Sequence, residues 1–134
     1  MKAYSDLRTY PKGQGVEVRV EGNTLRIFFD FEEISIPNHE AGEKQPKTVK
    51  QLKYESIDIV GGRAYPDIVS AIVRDRYSDN EIQAILANYA EVNNTASVLI
   101  LTPEKKEEYL QEYAGFQQWR AHAKEIAHVV VTLI

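Results

Sequence analysis

Residues 55–90, "ESIDIVGGRAYPDIVSAIVRDRYSDNEIQAILANYA", are where this chain changes from strand-forming to helix-forming sequence. Ile57 and Ile59 alternate with polar residues, which is the period of a half-buried strand. The glycine pair at 61–62 ends that strand. The stretch therefore predicts a boundary between β structure before residue 61 and α structure after it.

Two short helices are predicted after this boundary, over residues 66–77 and 79–90. Pro66 suits the first turn of a helix, because the N–H that proline lacks would be unpaired there. Ser78 and Glu81 match the capping box, in which each side chain accepts a hydrogen bond from the other residue's backbone N–H. Apolar residues recur at helical spacing: Ile68, Val69, Ile72 and Val73, then Ile82, Ile85, Leu86 and Tyr89.

Upstream, residues 16–31 ("VEVRVEGNTLRIFFDF") predict an antiparallel hairpin that turns at Gly22-Asn23. Residues 37–48 contain two prolines and mostly polar neighbours, so they predict a loop. Residues 49–60 resume strand character, but the apolar residues change phase along them. A β-bulge near Glu55-Ser56 would reconcile the two phases.

Downstream, Thr102-Pro103-Glu104 repeats the helix-start pattern of an N-cap, a proline and an acid. An apolar stripe at 100° per residue then predicts one long helix over 103–132. The β-branched end at 128–134 leaves two alternatives open, continued helix or a terminal strand.

The predicted fold class is α+β, because strands and helices are segregated along the chain. We expect a single domain over residues 1–134, mainly β in 1–60 and mainly α in 61–134. Its N-terminal antiparallel sheet would have about three strands. Two short helices would pack against that sheet, and the long helix would cover it or pair with a second copy.

Composition excludes several classes of function. The chain has 134 residues, a net charge of −4 and no cysteine. Disulfides, thiolate nucleophiles and cysteine-ligated zinc are therefore excluded. The sequence lacks the basic stripe that would predict nucleic-acid binding. It also lacks the run of about 18 apolar residues that would predict a membrane span. With no secretory signal pattern, we expect a soluble, intracellular protein.

Candidate chemical groups are few, and no catalytic residue, metal site, cofactor or small-molecule ligand is predicted. His122 and His128 flank Glu125 at successive steps of three residues, which fan apart rather than share the face that an i, i+4 pair needs for zinc. His39 falls in the polar loop. Asp30 and Glu32 share one strand face and Glu33 lies on the other, as expected for a solvated strand end.

The turn at Gly61-Gly62-Arg63 is the best alternative site. It follows a strand and precedes a helix, so its backbone and guanidinium could bind an anion. No phosphate-loop motif follows it, and a tight strand-to-helix turn explains the glycines equally well. A small ligand-binding domain or enzyme with a site at this turn is therefore the alternative function.

The aromatic stripe of the long helix is the strongest functional signal from the residues themselves. A helix of about 30 residues is long for a three-stranded sheet, and an overhanging part must bury its apolar face elsewhere. We therefore predict a protein–protein interface, either with a partner or between copies. Its candidate residues are Tyr109, Tyr113, Phe116, Trp119 and Arg120.

Three patterns in the second half of the chain resemble small uncharacterised prophage-encoded proteins found near phage tail genes. They are "IVSAIVRDRYS" (68–78), "AILANY" (84–89) and "EYAGFQQWRAHAK" (112–124). The matching positions are helix caps and core residues, so the resemblance implies no catalytic residue. It implies a phage-related accessory or structural protein of the host-cell cytoplasm or the virion, and points to tail or baseplate assembly.

Overall fold

The computed structural model describes residues 1–7, 10–38, 47–94 and 100–134. It has four strands, β1 (Lys2–Ser5), β2 (Glu17–Glu21), β3 (Thr24–Pro37) and β4 (Thr48–Val60). Three helices follow, α1 (Tyr65–Arg76), α2 (Asp79–Asn93) and α3 (Pro103–Leu133). The α+β prediction is confirmed. Most of the predicted loop at 37–48, with His39, lies outside the described residues.

The sheet has one strand more than the sequence predicted. Its order is β1-β4-β3-β2, and all neighbours are antiparallel. The missed strand, β1, has only four residues and pairs Lys2 with Glu55 and Ser5 with Leu52. A segment this short has too few alternations to reveal a strand, and it becomes one because the edge of β4 supplies the hydrogen-bonding partners.

The predicted β-bulge lies on the other strand. The register between β3 and β4 shifts between Phe29 and Glu32, while β4 continues without interruption. At the bulge, Asp30 adopts the left-handed conformation with φ 55°. The phase change in β4 has a different cause, because its apolar residues serve both faces of the sheet.

Each face of the sheet therefore has its own apolar cluster. The helix-facing side contains Leu25, Ile27, Phe29, Ile57 and Ile59. The opposite side contains Phe28, Leu52 and Tyr54. Residues 10–13 lie over this second cluster: the rings of Tyr10 and Phe28 meet edge-on at 5.4 Å, and Gly13 has φ 89° where a Cβ would lie 3.0 Å from the Leu52 side chain.

α2 and α3 begin at the positions that their capping residues predicted. Ser78 Oγ accepts from the Glu81 N–H at 3.1 Å, and the Glu81 carboxylate accepts from the Ser78 N–H at 3.4 Å. Thr102 Oγ1 accepts from the Lys105 N–H at 3.2 Å and caps α3. Of the two alternatives for the C-terminal end, the structure has continued helix as far as Leu133. In the described part of the chain, no helix is both long and apolar enough to cross a membrane.

The helical layer does not follow the predicted packing throughout. α1 and the second half of α3 cover the sheet, whereas α2 packs mainly against α3. The core that joins them includes Ile68, Ile72, Ile85, Phe116, Trp119, Ala123, Ile126 and Val130. Because α2 packs mainly against α3, α2 and the first half of α3 form a helical hairpin. This hairpin lies beside α1 and the second half of α3, which cover the sheet.

We expect Phe29→Ala to lower the free energy of unfolding by about 3–5 kcal/mol, since Phe29 is fully buried under the helices. Val20→Ala, on exposed edge strand β2, should cost less than about 1 kcal/mol. Urea unfolding followed by circular dichroism measures both. Equal losses would contradict this assignment of the core.

Candidate functional site

The structure separates the five predicted interface residues. Phe116 and Trp119 are only 5% and 6% exposed, because they pack into the core of the chain itself. Tyr109 and Tyr113 are half-buried, and Arg120 is exposed. In the folded chain, Tyr109, Tyr113 and Arg120 are therefore accessible to a partner, whereas Phe116 and Trp119 are almost entirely buried.

Trp119 joins α3 to α1 and to the sheet. Its indole N–H donates to the Ile72 carbonyl at 3.1 Å. The Arg76 guanidinium lies 3.4 Å from the centre of the Trp119 ring system, a cation–π contact. On the sheet side, the Phe29 ring lies 6.2 Å away. A tryptophan with its polar atom satisfied and its faces covered has a structural role.

Beside these core residues, α1, α2 and α3 enclose an open groove of about 490 Å³, here called the three-helix groove. Apolar side chains contribute to its floor, and arginines stand at its rim. These residues are Val69, Val73, Ile82 and Phe116, with Arg74 and Arg120. The volume is within the usual range for binding pockets, about 300–1,000 Å³.

Arg120 differs from the other rim arginine in its contacts within the described residues. Arg74 Nε donates to Asp79 Oδ1 at 3.2 Å. Within the residues that the structure describes, Arg120 makes neither a hydrogen bond nor an ion pair. An unpaired guanidinium beside an apolar floor can bind a carboxylate from outside the chain.

A second groove, here called the acidic groove, lies on the other side of the contact between α2 and α3. It measures about 600 Å³ and is lined by Ala84 and Ile85 together with the carboxylates of Glu81 and Glu112. Gly115 also lines it. The two grooves thus carry charges of opposite sign.

A buried carboxylate marks the junction between the sheet and α1. Glu55 is 5% exposed, and Arg76 donates to it at 3.0 Å. The backbone amine of Met1 lies 3.3 Å from the same carboxylate and also contacts Asp75. Because an unpaired buried carboxylate is costly, these cations are what allow β4 and α1 to meet there.

The strand-end acids also contact basic side chains. Asp30 and Glu32 line one small cavity of about 130 Å³, as their shared face predicted. His122 Nε2 lies 2.7 Å from Asp30 Oδ1, and Lys53 Nζ lies 3.9 Å from Glu32. This arrangement links the bulge of β3 to α3.

The histidines of α3 are separated as their spacing predicted. His122 faces Asp30, whereas the ring of His128 lies 4.6 Å from that of Tyr65. Across residues 1–7, 10–38, 47–94 and 100–134, no group of three histidine or carboxylate ligands comes together for a metal ion.

At the alternative site, Gly61-Gly62-Arg63, the polar groups form hydrogen bonds that stabilise the turn. Arg63 donates to the Gly22 carbonyl at 2.8 Å, and the Gly61 N–H donates to the Asn23 carbonyl at 2.9 Å. Asp67 accepts from the Ala64 N–H at 3.1 Å and approaches Gly62 so closely that a Cβ there would lie 2.9 Å from its carboxyl carbon.

Comparisons of the chain with known protein families, with curated proteins and with solved structures found no match. The assignment of a site therefore depends on geometry. Sequence reasoning missed the contribution of α1 to the three-helix groove, because packing of α1 against α3 leaves no local pattern. It also missed the placement of unlike charges on separate arcs of α3, which a helical projection of the charges reveals.

We expect Arg76→Met to lower the free energy of unfolding by about 3 kcal/mol, because it leaves the buried Glu55 carboxylate short of a partner. Adding Glu55→Gln to that variant should recover most of the loss, since the charge is then gone as well. Chemical denaturation of both single variants and the double variant measures this coupling. Strictly additive losses would show that the pair is not coupled.

Proposed function

We propose that this protein is not an enzyme and acts through protein–protein contacts made at the three-helix groove. The observation that supports this most directly is Arg120, a cation beside an apolar floor that has no hydrogen-bond or ion-pair partner in the part of the chain that the structure describes. Interfaces are enriched in arginine and aromatic residues, and a central apolar patch with a polar rim is their usual anatomy.

Neighbouring side chains extend the apolar surface beyond the groove. Leu86 follows Ile82 by one helical turn and is 44% exposed. Tyr89 and Tyr113 stack at 3.6 Å, and both are half-buried. A partner that covers this side of the α2–α3 hairpin would bury part of Tyr113 together with Leu86, which adds apolar contact to the charge of Arg120.

The resemblance to prophage-encoded proteins near tail genes suggests the biological setting. It supports a phage-related accessory or structural role, in tail or baseplate assembly, in the host cytoplasm or on the virion. The partner would then be another protein of the same assembly or a second copy of this chain. A ligand site at Gly61-Gly62-Arg63 has less support, because Arg63 is already bound to the Gly22 carbonyl.

The test is to block the groove without disturbing the core. Ser70 is exposed and lines the groove, so Ser70→Trp should fill it; Gln83→Trp places the same side chain on an exposed position of α2 as the matched control. Each variant is co-expressed with the proteins encoded beside it, and co-purification is quantified. We expect Ser70→Trp to reduce capture of at least one of them by about tenfold or more.

Gln83→Trp should leave that capture unchanged. The proposal would be wrong if Ser70→Trp and Gln83→Trp captured the same amounts. It would also be wrong if no protein co-purified and the chain alone stayed monomeric. Thermal unfolding of both variants confirms that the substituted chains are folded.

A further inference from the structure

The charges of α3 are sorted onto two sides of the helix. At about 100° per residue, the acids fall within an arc of roughly 140° and the bases within a separate arc of roughly 100°. The acids are Glu104, Glu107, Glu108, Glu112 and Glu125; the bases are Lys105, Lys106, Arg120 and Lys124. These two surfaces are here called the acidic flank and the basic flank.

One residue from each flank lines a groove. Arg120, from the basic flank, stands at the rim of the three-helix groove. Glu112, from the acidic flank, lines the acidic groove, where Glu81 of α2 adds a second carboxylate. Each groove also offers apolar side chains, Val69 and Ile82 in one and Ala84 and Ile85 in the other. One molecule thus presents two different surfaces that are complementary in charge.

Each groove contains a charged side chain that makes no ion pair among the described residues. Lys105 and Glu108 form a local pair at 3.1 Å, and that hydrogen bond raises the pKa of the Lys105 ammonium, with a smaller contribution from Glu112. In the described ranges, Arg120 and Glu112 form no such hydrogen bond or ion pair. Both are exposed and each lines a groove, so both are available to an external partner.

We propose that the occupant of the three-helix groove is a second copy of this chain, whose acidic flank docks against the basic flank of the first. This inference rests on the proposed function and names its partner. Because the two surfaces differ, the contact is heterologous, and repeating it builds a ring or a filament rather than a closed two-fold dimer. Unlike charges attract the copies, and like charges oppose the reversed orientation.

The experiment uses the full chain and charge reversals at two exposed positions. Arg120→Glu reverses the positive charge at the three-helix groove, and Glu112→Arg reverses a negative charge at the acidic groove. Absolute mass is measured by light scattering over a wide range of protein concentrations, at low and high salt. For the original chain we expect the average mass to rise with concentration and to fall with salt, because screening weakens contacts between exposed charges.

Each single variant should self-associate at least about tenfold more weakly than the original chain. An equimolar mixture of the two should recover association, because Glu112 of one variant meets Arg120 of the other and the two reversed positions also carry unlike charges. The double variant has its charges exchanged, so it should regain self-association. This pattern of results distinguishes a head-to-tail contact from non-specific association. Circular dichroism of each variant verifies that the helices are retained.

A monomeric mass at every concentration and salt would overturn the inference, as would single variants that associate like the original chain. The proposed function can survive that result. If the chain alone is monomeric but a neighbouring protein is still captured and Ser70→Trp releases it, the groove binds a different partner. If Ser70→Trp changes nothing while the charge variants behave as described, the contact between copies stands and the groove assignment fails.

Discussion

Burial of the apolar stripe of α3 is the constraint on which the rest of this structure depends. Phe116, Trp119, Ala123, Ile126 and Val130 lie along that stripe, and different layers of the protein cover different parts of it. α2 covers the first half, while α1 and the sheet cover the second half. Trp119, at the middle, contacts both α1 and Phe29. Loss of this helix would remove the surface against which α1 and α2 pack, so the helical layer depends on it.

The same helix explains where binding surfaces arise. When a helix is buried along one stripe, its surface on either side of that stripe lies beside the element that packs on it. A single helix such as α2 does not cover both sides of α3. Two grooves result, one between three helices and one between α2 and α3 beside Tyr77. Because Arg120 lines the first groove and Glu112 lines the second, the grooves differ in charge. The fold therefore converts a pattern along one helix into two surfaces with different binding preferences.

The pairs that join sheet to helix have a different role from the grooves. Arg76 of α1 donates to Glu55 of β4, and His122 of α3 contacts Asp30 of β3. Such pairs stabilise one arrangement of the elements over others, and they have little capacity left for a ligand. Arg120 and Glu112 form no hydrogen bond or ion pair among the described residues, and both are exposed. This contrast is why the proposed contact lies on the helical hairpin and not at the junction of sheet and helix.

The amino-acid sequence by itself determined the α+β class, the hairpin at Gly22-Asn23, the capped starts of α2 and α3, and the apolar stripe of α3, because these depend on local periodicity and capping. Tertiary structure decided the rest. β1 exists only because β4 offers it an edge, and the bulge is at Asp30 rather than in β4, because Leu52 and Tyr54 have a second apolar face to cover. From the sequence, Phe116, Trp119 and Arg120 were all predicted to be interface residues, because all three lie on one stripe of α3. Only packing against α1 and the sheet decided that the two rings are buried and the guanidinium remains for a partner.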